Sequence, residues 1–206
     1  MNISELEISR KLRKITYATD DRIEQILDDH GWRKLGSGIE AMVAEKPGTP
    51  YVLKLFNSDS EYVHFVKYCQ QNSTNKFLPR FSRYVRPVPG TQFSYVRMEK
   101  LFPITPDQLI SRYPEYVCAL VDMFKQPQGD VVWNHAMYAY NLDQIHVDLG
   151  YTSRADCAEQ VPAQFMKTVQ ELIQIMNEHK LTQLDMHYNN MMRRANGDLV
   201  ITDPFV

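Results

Sequence analysis

Between Trp32 and Met98 the chain is written in short apolar runs separated by turn residues, and after Leu101 it is written in helical repeats. Residues 32–35, 41–45, 51–56, 84–88 and 93–98 have the length and texture of strands. Lys46-Pro47-Gly48-Thr49-Pro50 and Val88-Pro89-Gly90-Thr91 supply turn chemistry between neighbouring runs. Between the third and fourth runs, Tyr62, Phe65, Val66 and Cys69 recur at helical spacing behind Ser58-x-x-Glu61, the pattern of a capping box. The prediction for this half is three strands, a helix and two strands. Residues 106–125 and 162–180 read as helices, and 126–161 as loops and short helices. A β-rich half followed by a helical half predicts an α+β fold of two lobes meeting at 98–101.

Ahead of the first strand, Ile3, Leu6, Leu12 and Ile15, then Ile23, Ile26 and Leu27, predict two short helices, the second closed by Gly31. The expected organisation is a helical extension over 1–30, a β-rich lobe over 31–101 and a helical lobe over 102–206. At 206 residues this is one functional unit rather than two independent enzymes. Lys and Arg number 23 against 25 Asp and Glu, a net charge of −2 with no long basic run, which argues against a nucleic-acid partner. The Lys11-Leu12-Arg13-Lys14 cluster reads as a solvated helix face. The acidic start Met-Asn-Ile-Ser-Glu-Leu-Glu is unlike a secretion signal, and no run approaches the ~18 apolar residues of a membrane span. Cys69, Cys118 and Cys157 are odd in number and far apart, so neither a disulfide framework nor a structural zinc site is expected. Together these features predict a soluble, reduced, intracellular protein with no membrane partner, with secretion by a route that uses no cleaved signal as the alternative.

The chemistry concentrates near the C-terminus. Asn196-Gly197 is a hairpin signal, because a two-residue type I′ turn needs positive φ at both central positions. With those two residues as the turn, Ala195 pairs with Asp198, and counting outward sets Asn190 opposite Asp203. An amide oxygen and a carboxylate converging there suit a hard cation such as magnesium. Asp185, five residues before Asn190, reaches the same point in this reading and is left to accept a proton. A surface hairpin with polar ends is the competing reading, and a one-residue bulge would break the pairing. In the other half, Gly36-Ser37-Gly38 lets backbone amides approach phosphate oxygens, or forms an ordinary tight turn. Lys54 interrupts an apolar strand, as a functional cation or as a lysine that reaches out to solvent.

In order, Gly36-x-Gly38, Val52-Leu53-Lys54, a helix with an acidic residue, Met98-Glu99-Lys100-Leu101, Asp185-x-x-x-x-Asn190 and Asp203 resemble the protein-kinase signature set over 32–206. In closer texture, Asp185-Met186-His187-x-x-Asn190-Met191 with the later Ile201-Thr202-Asp203-Pro204 resembles small serine/threonine kinases of bacteriophages and minimal kinase-like proteins of bacteria, effectors included. The resemblance implies a minimal two-lobed kinase-like fold with a truncated C-terminal lobe, and ATP and magnesium as cofactors. It implies that Gly36, Ser37, Gly38 and Lys54 meet the phosphates, that Asn190 and Asp203 hold magnesium, and that Asp185 accepts the substrate proton. It makes Met98 the gatekeeper before backbone groups of Glu99 and Leu101 that meet adenine. Glu61 is the partner of Lys54 or the capping-box residue, and the sequence leaves both open.

The departures are also specific. Gln183-Leu184 replaces the usual His-Arg, and His187 replaces the lysine expected two residues after the aspartate, where it would donate to the γ-phosphate. After Asp203 come only Pro204, Phe205 and Val206, so no activation segment is expected and no control through its phosphorylation. The expected function is a minimal serine/threonine protein kinase acting on a host protein, in a bacterial cytoplasm or in the host cell. A nucleotide-binding pseudokinase or interaction module and a kinase of small-molecule alcohols are the alternatives.

Overall fold

The computed structural model describes residues 20–37, 41–88, 92–124, 153–181, 184–186 and 188–205. The helix expected around 3–15, Gly38, His187 and most of 126–161 lie outside them. The fold is α+β, as the change in texture predicts, and its described residues group into two units. Unit 1 holds those up to Ser73 with Arg80–Lys100, and unit 2 holds Thr74–Pro79 with those from Leu101 onward.

Unit 1 is built on a five-stranded antiparallel sheet. Helix α1 (Asp20–Asp29) is followed by β1 (Arg33–Ser37), β2 (Ala41–Glu45), β3 (Tyr51–Asn57), α2 (Tyr62–Gln71), β4 (Arg86–Pro87) and β5 (Phe93–Glu99). The spatial order is β1-β2-β3-β5-β4, with the helix between the third and fourth strands that the sequence predicts. Burial along β5 alternates residue by residue, because successive side chains of a strand point to opposite faces. One face carries Met42, Ala44, Leu53 and Leu55, which pack with Ile23 and Leu27 of α1, Trp32 and Val88. The expected extension thus contributes to the core of unit 1: Ile23 and Leu27, one helical turn apart, are each 1% exposed. Burying each is worth about 1.5–3 kcal/mol. The register sets Val43, Val52, Lys54, Val96 and Met98 on the opposite face.

Unit 2 carries β6 (Phe102–Pro103), α3 (Pro106–Arg112), α4 (Pro114–Phe124), α5 (Arg154–Ala158), α6 (Ala163–His179), β7 (Met191–Arg193) and β8 (Leu199–Ile201), the strands forming an antiparallel sheet β6-β7-β8. The single helix expected over 106–125 is two. Pro114 has no N–H to donate and disfavours helix at the residue before it, so Tyr113 leaves the helical region at φ −137°. α3 itself opens with a capping box between Thr105 and Gln108. α6 ends where Lys180 adopts φ 54°.

Thr74–Pro79, which the sequence reading placed with the β-rich half, is stitched into unit 2 by side chains and backbone. Asn75 donates to Thr168 Oγ1 at 2.7 Å, and the Ile201 N–H donates to the Phe77 carbonyl at 2.9 Å. The Arg194 guanidinium donates to the carbonyls of Lys76 and Leu78. Phe77, 1% exposed, stacks edge-on against Phe165 at 5.2 Å and Tyr116 at 5.9 Å. Truncating Phe77→Ala is expected to cost about 3–5 kcal/mol, read as a lowered midpoint in urea unfolding with an unchanged slope.

The cysteine expectation is corrected. Cys118 of α4 and Cys157 of α5 form a disulfide with Cα atoms 6.0 Å apart. Their separation of 39 residues concealed a pairing that only the packing of two helices creates. The cysteine pattern therefore no longer argues for a reducing compartment. Cys69 is buried in α2, and burial pushes its thiol up, which suits a packing residue rather than a nucleophile. Among the described residues no helix is long and apolar enough to cross a membrane.

Candidate functional site

The hairpin forms, but in a register one residue away from the expected one. Met191 pairs with Ile201, Met192 with Val200 and Arg193 with Leu199, and the Arg194 N–H donates to the Asp198 carbonyl at 2.9 Å. The loop is therefore Ala195-Asn196-Gly197, three residues instead of two. Gly197 takes the positive φ, +93°, while Asn196 stays outside that region and its Oδ1 accepts from the Asp198 N–H at 3.1 Å. A three-residue loop closed by a left-handed glycine is the next commonest hairpin connection, and Asn-Gly serves it as well as the two-residue turn. Asn190 consequently faces Thr202, whose N–H donates to the Asn190 carbonyl at 2.8 Å, and the expected direct pairing with Asp203 is not made.

Asp203 is brought to Asn190 and Asp185 by a different route. Past β8 the strand ends, and the Pro204 carbonyl accepts from the Asp185 N–H at 2.7 Å while Leu184 pairs with Phe205. Asp203 is thus the residue between Thr202, tied to Asn190, and Pro204, tied to Asp185. A single 3-10 turn over Tyr188–Asn190 carries Asn190 back toward Asp185. There Asn190 Nδ2 donates to both the Asp185 carbonyl and its Oδ2, each at 2.9 Å. Asp185 is buried, 9% exposed, and its backbone and side chain are both engaged.

An amide oxygen from Asn190 and a carboxylate from Asp203 are oxygen donors of the chemical kind that magnesium takes. The Asn190 amide nitrogen is committed to Asp185, and the Asp203 backbone lies between Thr202 and Pro204, which are bonded to Asn190 and Asp185. Magnesium is octahedral, keeps several waters and is usually held by one or two protein oxygens together with phosphate oxygens. Among the described residues no group of three or more His, Cys, Asp or Glu is placed so that it could hold a metal ion.

In unit 1, Lys54 lies in the middle of β3, 7% exposed, between Val43 and Val96. Its ammonium sits 4.1 Å from the centroid of the Tyr62 ring at the start of α2, an attraction between a cation and the ring face. The lysine does not reach out to solvent. Glu61 is itself the N-cap of α2, with no side-chain cap bond, so the helix starts one turn later than Ser58-x-x-Glu61 predicts. Ser58 Oγ instead hydrogen-bonds Ser94 Oγ at 2.8 Å, which removes the capping-box reading. Gly36 and Ser37 end β1, where a bulge between Lys34 and Gly36 shifts the register. A Cβ at Gly36 would meet no atom within 4 Å, so packing within the protein does not require glycine there.

Met98 is the last but one residue of β5, opposite Val52 and bridged to Phe81. Glu99 is fastened to Arg80 twice: its N–H donates to the Arg80 carbonyl at 2.9 Å, and its Oε1 accepts from the Arg80 N–H at 2.8 Å. Leu101, the next expected backbone contact, begins the second stretch of unit 2 and is buried.

One residue near these positions escaped the sequence reading. Glu45, 4% exposed, pairs with Val52 and shares the face of Lys54. Its Oε2 accepts from Lys100 Nζ at 2.6 Å and its Oε1 from Arg33 Nε at 2.6 Å. The alternation of β2 carried the signal, since position 45 has the parity of Val43. The hydrogen bonds from Lys100 and then Arg33 hold the Glu45 carboxyl below the usual carboxylate range, against the opposing effect of burial. A depressed folded-state pKa stabilises the fold above the unfolded value and loses that contribution as pH falls through the folded value. Melting temperature should therefore fall more steeply with acid below about pH 4.5 in the wild type than in Glu45→Gln, which is already less stable at neutral pH. Parallel curves for the two proteins would contradict this.

No family model matches the chain, and no curated protein matches it. Among solved structures, the crystal structure of aminoglycoside phosphotransferase APH(4)-Ia is similar over 90% of this chain and 71% of that one, at 13% identity and a TM-score of 0.41.

Proposed function

We propose that this chain is a minimal kinase-like phosphotransferase that moves the γ-phosphoryl group of ATP to a serine or threonine hydroxyl of a protein, a host protein in the reading its resemblance favours. The observation that carries the proposal is the tie of Asn190 to Asp185 through both carbonyl and carboxylate, with Asp203 held between two residues bonded to that same pair. A hairpin that merely turned the chain at the surface would have no use for a buried aspartate fixed in this way.

In this reading Asn190 and Asp203 would hold magnesium, which would offset charge on the phosphates. Asp185 orients the substrate hydroxyl and accepts its proton. The hydroxyl oxygen forms its bond to the γ-phosphorus while the bond to the β–γ bridging oxygen breaks, and ADP leaves with that electron pair. Lys54 pairs with the α- and β-phosphates, oriented by Glu61, and the backbone of Gly36, Ser37 and Gly38 covers them. Met98 borders the base, which the backbone of Glu99 and Leu101 contacts, and His187 donates to the γ-phosphate. Transfer of this kind rests mostly on positioning and charge, so a small scaffold suffices.

Incubation with γ-labelled ATP and a cell lysate, followed by separation of protein from small molecules, tests the reading. Label on serine or threonine of a protein is the expected result. Label confined to a small-molecule fraction would reassign the acceptor, and no transferred label would favour the pseudokinase.

A further inference from the structure

We propose that Glu45 is a positioning residue for the run Met98–Glu99–Lys100, which carries the proposed base contacts of Met98 and Glu99, acting through its ion pair with Lys100; this rests on the nucleotide reading given above. Met98 and Glu99 are each fixed on two sides: Met98 by Val52 and Phe81, and Glu99 by Tyr51 and by both bonds to Arg80. Lys100 is held by a longer backbone bond, its N–H donating to the Pro50 carbonyl at 3.3 Å, and by Glu45 at 2.6 Å. The carboxylate thus completes the fixing of the run at the end where the strand pairing stops.

The chemistry of the position supports a role beyond stability. Glu45 lies on a sheet face whose nearby members are Val43, Val52, Lys54 and Met98, apolar but for the lysine. A carboxylate whose side chain is only 6% exposed must give up water there, and an apolar residue of similar size would cost less. What the carboxylate provides is a directed, charge-assisted bond from β2 to Lys100, with Arg33 of β1 anchoring its other oxygen. Residues that fix a binding segment in advance reduce the ordering cost paid on association, so their loss weakens affinity more than turnover.

The test is calorimetric titration of ATP with magnesium into the full chain, paired with steady-state kinetics. Glu45→Gln is expected to weaken ATP binding about tenfold while kcat at saturating ATP stays within about twofold. Lys100→Met should do the same, Lys100→Arg should restore most of the affinity, and the double variant Glu45→Gln/Lys100→Met should be no weaker than either single change. Should Glu45→Gln fail to fold, Lys100→Met carries the test, since the Lys100 side chain is 41% exposed. Wild-type binding matched by variants that only melt earlier would overturn the inference and leave the nucleotide reading standing. A wild type that takes up no ATP would overturn that reading and this inference with it.

Discussion

Asp203→Ala is expected to lower the magnesium-dependent rate of phosphoryl transfer about a thousandfold while shifting the melting temperature by only a few degrees. The loss follows from removing one of two proposed protein ligands, an anionic one, from an ion that neutralises developing charge; about 4 kcal/mol of transition-state stabilisation corresponds to that factor. The small effect on stability follows from what surrounds the residue. Asp203 lies beyond β8, and two backbone bonds beside it, from the Thr202 N–H and to the Pro204 carbonyl, survive the substitution. Initial rates over a range of magnesium, with melting curves of both proteins, provide the check. A variant within tenfold of wild type would remove Asp203 from the metal assignment.

Asp185→Asn is the second large effect. The amide is nearly isosteric, and the backbone bond from residue 185 to the Pro204 carbonyl and the bond from Asn190 to the residue 185 carbonyl both survive. What disappears is the carboxylate proposed to accept the substrate proton, a function worth about 10²- to 10⁴-fold in rate. The expectation is a fall of that size in kcat with the KM for ATP changed less than about threefold, since Asp185 is not proposed to contact the nucleotide. A rise in KM with kcat preserved would show that Asp185 serves binding and that the proton acceptor is another group.

The elements were legible in the sequence where the pattern is local. The alternation in 93–98 and the Lys46-Pro47-Gly48 turn are short-range features, and the strand, strand, strand, helix, strand, strand order of unit 1 follows from them. Register was not legible to one residue. Asn196-Gly197 fits a two-residue turn with positive φ at both positions and a three-residue loop with positive φ at Gly197 alone, and the chain takes the second. The same limit applied at Ser58, a good helix cap until tertiary structure offered Ser94 as a partner.

Docking was legible least of all. The spacing of Ile23 and Leu27 announced a helix without saying that it joins the cluster of Leu53 and Leu55, and nothing in Thr74–Pro79 announced that Phe77 packs against both Tyr116 and Phe165. For the candidate site, the residue types and their order were legible. The path that gathers Asp185, Asn190 and Asp203 was not, because it depends on Pro204 and Phe205 returning to pair with Leu184 and Asp185.

The account is tested most directly by following the γ-phosphoryl group of labelled ATP on the purified wild-type chain supplied with a protein acceptor, with magnesium present and then removed by chelation. It predicts label on a serine or threonine hydroxyl that accumulates with magnesium and stops without it. ATP that binds the chain yet keeps its label through every acceptor, with magnesium present, would contradict it.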